Sequence, residues 1–304
     1  MTAPKRQWRD IDGIVLLDKP LGLSSNDALQ KVRRLFGARK AGHTGALDPL
    51  ATGMLPICFG EATKFAGFLL DADKRYVVTA RLGIRTTTSD RDGEVVSTRP
   101  VSITLAQLTD ALVPFRGPQQ QVPSIYSALK HEGRPYYWYA RRAIDIPRPA
   151  RAITIYSLEL IAFDGVDVTL EVHCSKGTYI RSLVDDLGEA LGCGAHVTLL
   201  RRTAVASFPL VAMRTLPEFA ELRGEDVEPA PQLDALILPL TWCVRELPRL
   251  DLDEDLARRV LTGQSVALSH APGEVQLWHG AAFAGVGEVS ADGLLKARRL
   301  LKQE

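Results

Sequence analysis

Two long runs rich in apolar and β-branched residues, Ile153 to Phe163 and Val166 to Cys174, flank the pair Asp164-Gly165. An Asp-Gly pair between such runs signals a tight hairpin, because the turn needs residues that tolerate positive φ. The chain is thereby committed to antiparallel pairing near its centre, and the remaining elements must extend or cover that sheet. Gly13 to Leu17 is a short apolar run that ends at Asp18-Lys19-Pro20 and reads as a buried strand. Ser24-Ser25 offers an N-cap for a helix running to Phe36, with Ala28, Leu29, Val32 and Leu35 on one face. Further along, Glu61 to Leu70 reads as a helix and Lys74 to Gly83 as a strand. Asp92-Gly93 is a turn before a strand at Glu94 to Ser97, and Thr104 to Phe115 is a helix. Thr178 to Leu191 has helical periodicity, with Ile180, Leu183, Val184 and Leu187 apolar, and His196 to Phe208 reads as a strand pair. The sum is an α+β fold: a mixed, mostly antiparallel central sheet with flanking helices.

A chain of 304 residues suits two domains. The polar, proline-containing stretch 223–232, RGEDVEPAPQ, is the expected interdomain region. From Leu247 onward a short helix, Glu254 to Leu261, and brief strands around Val275–Trp278, Phe283–Val289 and Lys296–Leu301 suggest a small β-rich C-terminal module. The division is drawn as 1–245 and 246–304.

Hydrophobic content of 46% and charged content of 24% are those of a globular protein with a sizeable core. Net charge is only +1, so no global basic field announces a polyanionic partner. Charge is nonetheless uneven: residues 1–50 hold nine Lys/Arg against five Asp/Glu, and residues 214–255 hold four against eleven. The four cysteines form no C-x-x-C pair and no histidine is spaced to join them, so no metal site is expected and reduced thiols fit a cytoplasmic protein. The apolar run before Asp18 is too short for a signal peptide, and no run approaches a membrane span.

The residues able to do chemistry concentrate in four segments. Gly42 to Gly53, GHTGALDPLATG, reads as a loop, with Gly42, Gly45 and Gly53 letting backbone and ligand come close. It carries His43 and Asp48, and Pro49 keeps Asp48 out of the helical region. A lone Asp-Pro is an ordinary surface turn; the whole run argues for more. Asp18-Lys19-Pro20, Lys74-Arg75-Tyr76 and CSKGTYIRSL at 174–183 are the others. Arg181 falls in the first turn of a helix, where the dipole favours anions, which suggests an external carboxylate or phosphate partner; the alternative is a solvated arginine. Tyr136-Tyr137-Trp138-Tyr139, beside Arg134, Arg141 and Arg142, suits either stacking on unpaired bases or a helix half in the core. Gly192-Cys193-Gly194 and Gly285-Val286-Gly287 are only fragments of a dinucleotide loop.

The order and spacing of GIVLLDKPLGLSSNDALQKVRR, AGHTGALDPLATGMLPICFGEATKF, DKRYVVTARLGIRTTTSDRDG, PSIYSALK and HCSKGTYIRSLVDDLG resemble the bacterial tRNA pseudouridine-55 synthases, the TruB family, over residues 12–205. Pro135 and Trp138 depart from the pattern, where basic and acidic residues are expected. The resemblance implies a pseudouridine synthase fold with a catalytic domain over 1–245 and a PUA-like RNA-binding domain over 246–304. It implies isomerisation of one uridine in the T-loop of tRNA, with no cofactor, no obligatory protein partner and a monomer. It assigns Asp48 as the catalytic aspartate, Arg181 as its ion-pair partner and Tyr76 as the residue stacking on the target base. Tyr179 becomes a second pocket wall, Leu200 a backbone contact to the base, Lys19 an electrostatic support, and His43 a residue filling space vacated in the T-loop. A tRNA-binding folding helper without catalysis, or a guide-RNA-dependent relative, are the alternatives.

Overall fold

The computed structural model describes residues 8–224 and 231–302. Most of the expected interdomain stretch, 225–230, lies outside the described residues. The centre is an eight-stranded sheet in the order Gly13–Lys19, Ala51–Phe59, Ala195–Val205, Lys74–Leu82, Asp167–Cys174, Arg151–Phe163, Gly117–Gln121, with Ala41–His43 also paired to Ala51–Phe59. All neighbours run antiparallel except Ala195–Val205 and Ala51–Phe59, which pair in parallel through Leu200–Ala51, Arg201–Thr52 and Arg202–Gly53. The expected α+β class and mostly antiparallel sheet are present, and the hairpin turns at Asp164-Gly165.

Helix Ser25–Phe36 starts as its sequence dictates: the Ser24 side chain accepts from the Asp27 backbone N–H, and Ala28, Leu29, Val32 and Phe36 are buried. Helix Ile180–Ala190 buries Ile180, Leu183, Val184 and Leu187 against the sheet. It packs so closely that a Cβ on Gly188 would meet the Ala195 nitrogen at 2.2 Å. Alternate residues of Gly13–Lys19 serve two cores. Val15 and Leu17 join the large cluster with Phe36 and Phe219, while Ile14 and Leu16 join a second one with Phe65, Phe208 and Val244.

Three local expectations change. The segment 42–53 is not all loop: Ala41–His43 and Ala51–Phe59 are strands, leaving Thr44 to Leu50 as the connection. Gly53 is needed inside a strand, because at φ +99° a Cβ would meet the Arg202 carbonyl oxygen at 2.2 Å. The helix expected over Glu61 to Leu70 splits into a 3-10 turn, Gly60–Lys64, and a short helix, Ala66–Asp71. Phe65, between them, leaves helical geometry while its ring is fully buried in the second core. The strand pair expected over His196 to Phe208 is one strand, Ala195–Val205, whose register shifts at Val197/Leu199 and Arg202/Ala204 bend it without a turn.

Residues 249–300 form a five-stranded sheet in the order Arg249–Leu252, Gly273–His279, Ala282–Val289, Leu294–Leu300, Val266–Ala267, with helix Glu254–Leu261 capped by Asp253. Val286 packs into the second core and Phe283 meets Phe65 edge-on, so this sheet shares apolar contacts with the first. Between Gly117–Gln121 and Arg151–Phe163 a short hairpin, Lys130–His131 with Arg134–Pro135, leads into helix Tyr136–Ala140. This segment has its own small core of Tyr136, Tyr139 and Ile146.

Candidate active site

The parallel pairing determines where the site forms. It sets the start of Ala51–Phe59 beside Leu200 and Arg202, so the turn just before that strand, which carries Asp48, opens over the middle of the sheet. Leu200 and Arg202 are two apart on one strand and share a face, as do Lys74 and Tyr76 on the next. Helix Ile180–Ala190 brings Arg181 to the same place. Its entry is fixed by Gln121, whose side-chain amide accepts from the Tyr179 N–H at 2.8 Å and donates to the Tyr179 carbonyl at 3.0 Å.

The resulting pocket, about 390 Å³, is lined by Asp48, Tyr76, Tyr179, Arg181 and Leu200, with Leu70, Lys74, Ser127 and Arg202 among its other walls. Five of the seven residues singled out in the sequence therefore meet in one cavity. Lys19 and His43 are not part of its lining. Lys19 is fully buried and donates to the Pro20 and Leu23 carbonyls at 2.9 and 2.6 Å. Burial lowers its pKa to about 8, against the opposing pull of Asp48. His43 lies on strand Ala41–His43 with Nδ1 buried and unpartnered. Burial, followed by the Arg202 charge, holds its imidazole below the ordinary value.

The electrostatic centre is Arg181, with 5% of its side chain exposed. Nη2 lies 2.9 Å from Asp48 Oδ2 and donates to the Tyr126 carbonyl at 2.8 Å. Nη1 lies 3.3 Å from Asp90 Oδ2 and donates to the Thr88 carbonyl at 3.0 Å. The arginine that the helix start does not favour is thus held by two carboxylates and two carbonyls. Asp48 keeps 39% of its side-chain surface open. Asp48 lines the cavity, and burial raises its carboxyl above the usual carboxylate range. Arg181 is the largest opposing influence, Asp90 pushes upward again, and Lys19 pulls down. Burial also raises the phenols of Tyr76 and Tyr179, with the Arg202 charge opposing it at Tyr76. A carboxylate in a cavity walled by two tyrosines can, when ionised, act on a planar ring or on the sugar that carries it.

Three residues of this site escaped the sequence reading. Asp90, 4% exposed, hid behind the turn signal of Asp92-Gly93; Thr88 Oγ1 and the Asp92 N–H both donate to its Oδ1, the mark of a local turn. Arg202, 1% exposed, donates to the Met54 carbonyl at 2.7 Å and the Gly45 carbonyl at 3.1 Å. Its signal was its two-residue spacing from Leu200 on a strand. Gln121 carried no signal. Tyr136 and Tyr139 are buried as a helix half in a core predicts, and Trp138 holds the guanidinium groups of Arg134 and Arg142 at 4.1 and 4.0 Å from its ring. The four cysteines are buried and unpaired. Among the described residues no cluster of His, Cys, Asp or Glu could hold a metal, and no helix is long and apolar enough to cross a membrane.

Consecutive stretches of the chain match three family models. These are the N-terminal domain of the TruB family pseudouridylate synthases over residues 33–180, the tRNA pseudouridylate synthase B C-terminal domain over 181–245, and the C-terminal model of pseudouridine synthase II TruB over 248–301. The chain is 59% identical to the tRNA pseudouridine synthase B of Aeromonas salmonicida over 302 residues, covering 97% of this chain and 95% of that one. It is 60% identical to the protein of the same name from Tolumonas auensis, covering 97% and 93%. Among solved structures, the archaeal box H/ACA sRNP Nop10-Cbf5 complex matches with a TM-score of 0.71 at 23% identity, covering 95% of this chain and 85% of the other. A Cbf5-Nop10-Gar1 complex matches at 0.73 and 22%, covering 99% and 91%. At such identities the structures speak for the fold, whereas the full-length relatives, together with the three matched models, decide membership: the chain belongs to the TruB family of pseudouridylate synthases.

Proposed function

We propose that the protein isomerises uridine 55 in the T-loop of tRNA to pseudouridine, with the target base flipped into the pocket around Asp48. The observation that carries this reading is the Asp48–Arg181 pair at 2.9 Å, set in a cavity walled by two tyrosines. It belongs to a chain 59% and 60% identical to proteins named tRNA pseudouridine synthase B. The reaction breaks the N1–C1′ bond, rotates the base, forms C5–C1′, releases the C5 proton and returns a proton to N1. Atoms and electrons balance without a redox partner. A base stacked within the RNA cannot enter the cavity that Asp48 lines, so it must leave its stack, at a cost of a few kcal/mol.

Asp48 acts as the ionised carboxylate, attacking or deprotonating at the nucleoside, and Arg181 keeps it ionised against burial. Tyr76 stacks on the base and assists removal of the C5 proton; Tyr179 forms the second wall, and the Leu200 backbone contacts the base edge. Lys19 acts from outside the cavity, through its charge and its hold on the Pro20–Leu23 turn. His43, also outside, faces the RNA and fills space vacated in the T-loop. The catalytic unit spans 1–245, and the β-rich unit over 246–304 is a PUA-like RNA-binding domain. The protein works as a monomer in the cytoplasm without a guide or protein partner.

The test is tritium release from unmodified tRNA transcript labelled at uridine C5, with no other RNA present. Release by the native protein and none by Asp48→Asn, with tRNA binding retained, is expected. Tight binding without release would point to a folding helper or a missing guide. Loss of binding in Asp48→Asn would remove that residue from the chemistry.

A further inference from the structure

One wall of the pocket belongs to an element the proposed mechanism does not use, the end of helix Ala66–Asp71. Leu70, in its last turn, lines the cavity and leaves 46% of its surface open. A six-residue helix with no side-chain cap has little stability of its own. Its terminal carbonyls, which no helical N–H can reach, are held by Lys74. Nζ donates to Leu70 O at 2.6 Å, Ala72 O at 2.5 Å and Leu69 O at 3.2 Å. An ammonium has three donors, so all three are committed to this helix end, where the dipole favours a cation.

Lys74 itself cannot shift. Its backbone opens strand Lys74–Leu82 and is paired on one side to Cys174 and on the other to Val205. Tyr76 follows two residues later on the same buried face. The residue is 7% exposed, and burial lowers its pKa to about 8, the cost of keeping a cation where a methionine would pack.

We propose that Lys74 is a positioning residue for the isomerisation: it ties the Leu70 wall to the strand that carries Tyr76 and so fixes the width of the slot that receives the uracil ring. This rests on the functional reading above. A wall displaced by about 1 Å misplaces the base relative to Asp48 and slows chemistry more than it weakens binding.

The test uses the full chain and unmodified tRNA labelled with tritium at uridine C5, with single-turnover rate and tRNA affinity measured separately. Lys74→Met should lower the rate constant about 10- to 100-fold and change Kd by less than about twofold. Lys74→Arg, which restores a cation with several donors, should recover most of the rate. Leu70→Ala, which removes the wall but not the tether, should reproduce the rate-specific loss, and it decides the matter if Lys74→Met does not fold. Hydrogen exchange at the backbone amides of the 66–74 segment should quicken in Lys74→Met. The positioning role is overturned by a native rate in Lys74→Met or Leu70→Ala, or by equal losses in rate and affinity that Lys74→Arg fails to rescue. A native protein that releases no tritium overturns the functional reading instead, and the positioning role with it.

Discussion

Arg181→Met should move the acidic limb of the turnover profile to higher pH while leaving tRNA affinity nearly unchanged. Asp48 Oδ2 lies 2.9 Å from the guanidinium, with Asp90 Oδ2 3.3 Å from the same group. Opposite unit charges about 4 Å apart attract by about 4 kcal/mol at an effective dielectric near 20. Asp48 is 39% open to the pocket, and screening by water there reduces the figure to about 2 kcal/mol. Lost from the ionised form alone, this moves the titration of Asp48 to higher pH. Burial already holds that carboxyl high and Arg181 is the main force against it, so removing the arginine can only move it further up. A carboxylate that works ionised loses activity as pH falls through its pKa; a higher pKa brings the loss on at higher pH. Single-turnover tritium release between pH 5 and 8.5, at enzyme concentrations above Kd, reads the limb directly. Adding Asp90→Asn to Arg181→Met should return part of the shift, because the Asp90 charge pushes Asp48 upward. An unmoved limb with intact turnover, or a loss shared equally between rate and affinity, would refute the ion-pair role.

Lys19, with a pKa of about 8 in the fold against 10.5 when exposed, makes stability depend on alkaline pH. Its contribution is fully present above pH 10.5 and lost as pH falls through about 8, so urea midpoints should rise across that window. Lys19→Met should remove up to about 3 kcal/mol of the rise; an unchanged slope would reject a lowered pKa. Gly53→Ala should destabilise by about 2 kcal/mol or more and disturb the pocket, since the new Cβ collides with the Arg202 backbone at positive φ; a native urea midpoint would contradict that geometry. Phe219→Ala removes a fully buried ring packed edge-on against Phe36 at 5.3 Å and should cost about 3–5 kcal/mol in denaturant melts without moving the acidic limb.

What the sequence made legible was mostly local. The Ser24 cap, the periodicity of 180–190 and the Asp-Gly hairpin are short-range signals, and each element formed within a few residues of its expected bounds. Phe65 shows where that logic stops: its neighbours favour helix, but burying its ring in the second core breaks the helix. The site follows the same division. Arg181 stood out because an arginine does not suit a helix start; Asp48 stood out only within the whole 42–53 run, and Tyr76 took its role from the resemblance. Asp90 and Arg202 did not stand out, because an aspartate in a turn and an arginine in a strand look solvated until distant segments bury them. Lys19 and His43, placed with the site by resemblance, lie outside the cavity lining because they sit on strands Gly13–Lys19 and Ala41–His43, which pair with Ala51–Phe59 rather than with the strands that carry Tyr76 and Leu200.

The strand Ala195–Val205 lies between Ala51–Phe59 and Lys74–Leu82, two strands that precede it by more than a hundred positions; Arg202, for one, reaches back 157 positions to the Gly45 carbonyl. During synthesis both flanking strands leave the ribosome well before the strand that joins them. Until it arrives, each presents an unpaired, apolar edge, and the growing chain is most exposed to misassociation. Closing so long a loop is also slow. Temperature or crowding during translation should therefore reduce the yield of folded protein more than they affect the finished molecule, and a chain truncated before Ala195 should collect in aggregates rather than as an inactive soluble half.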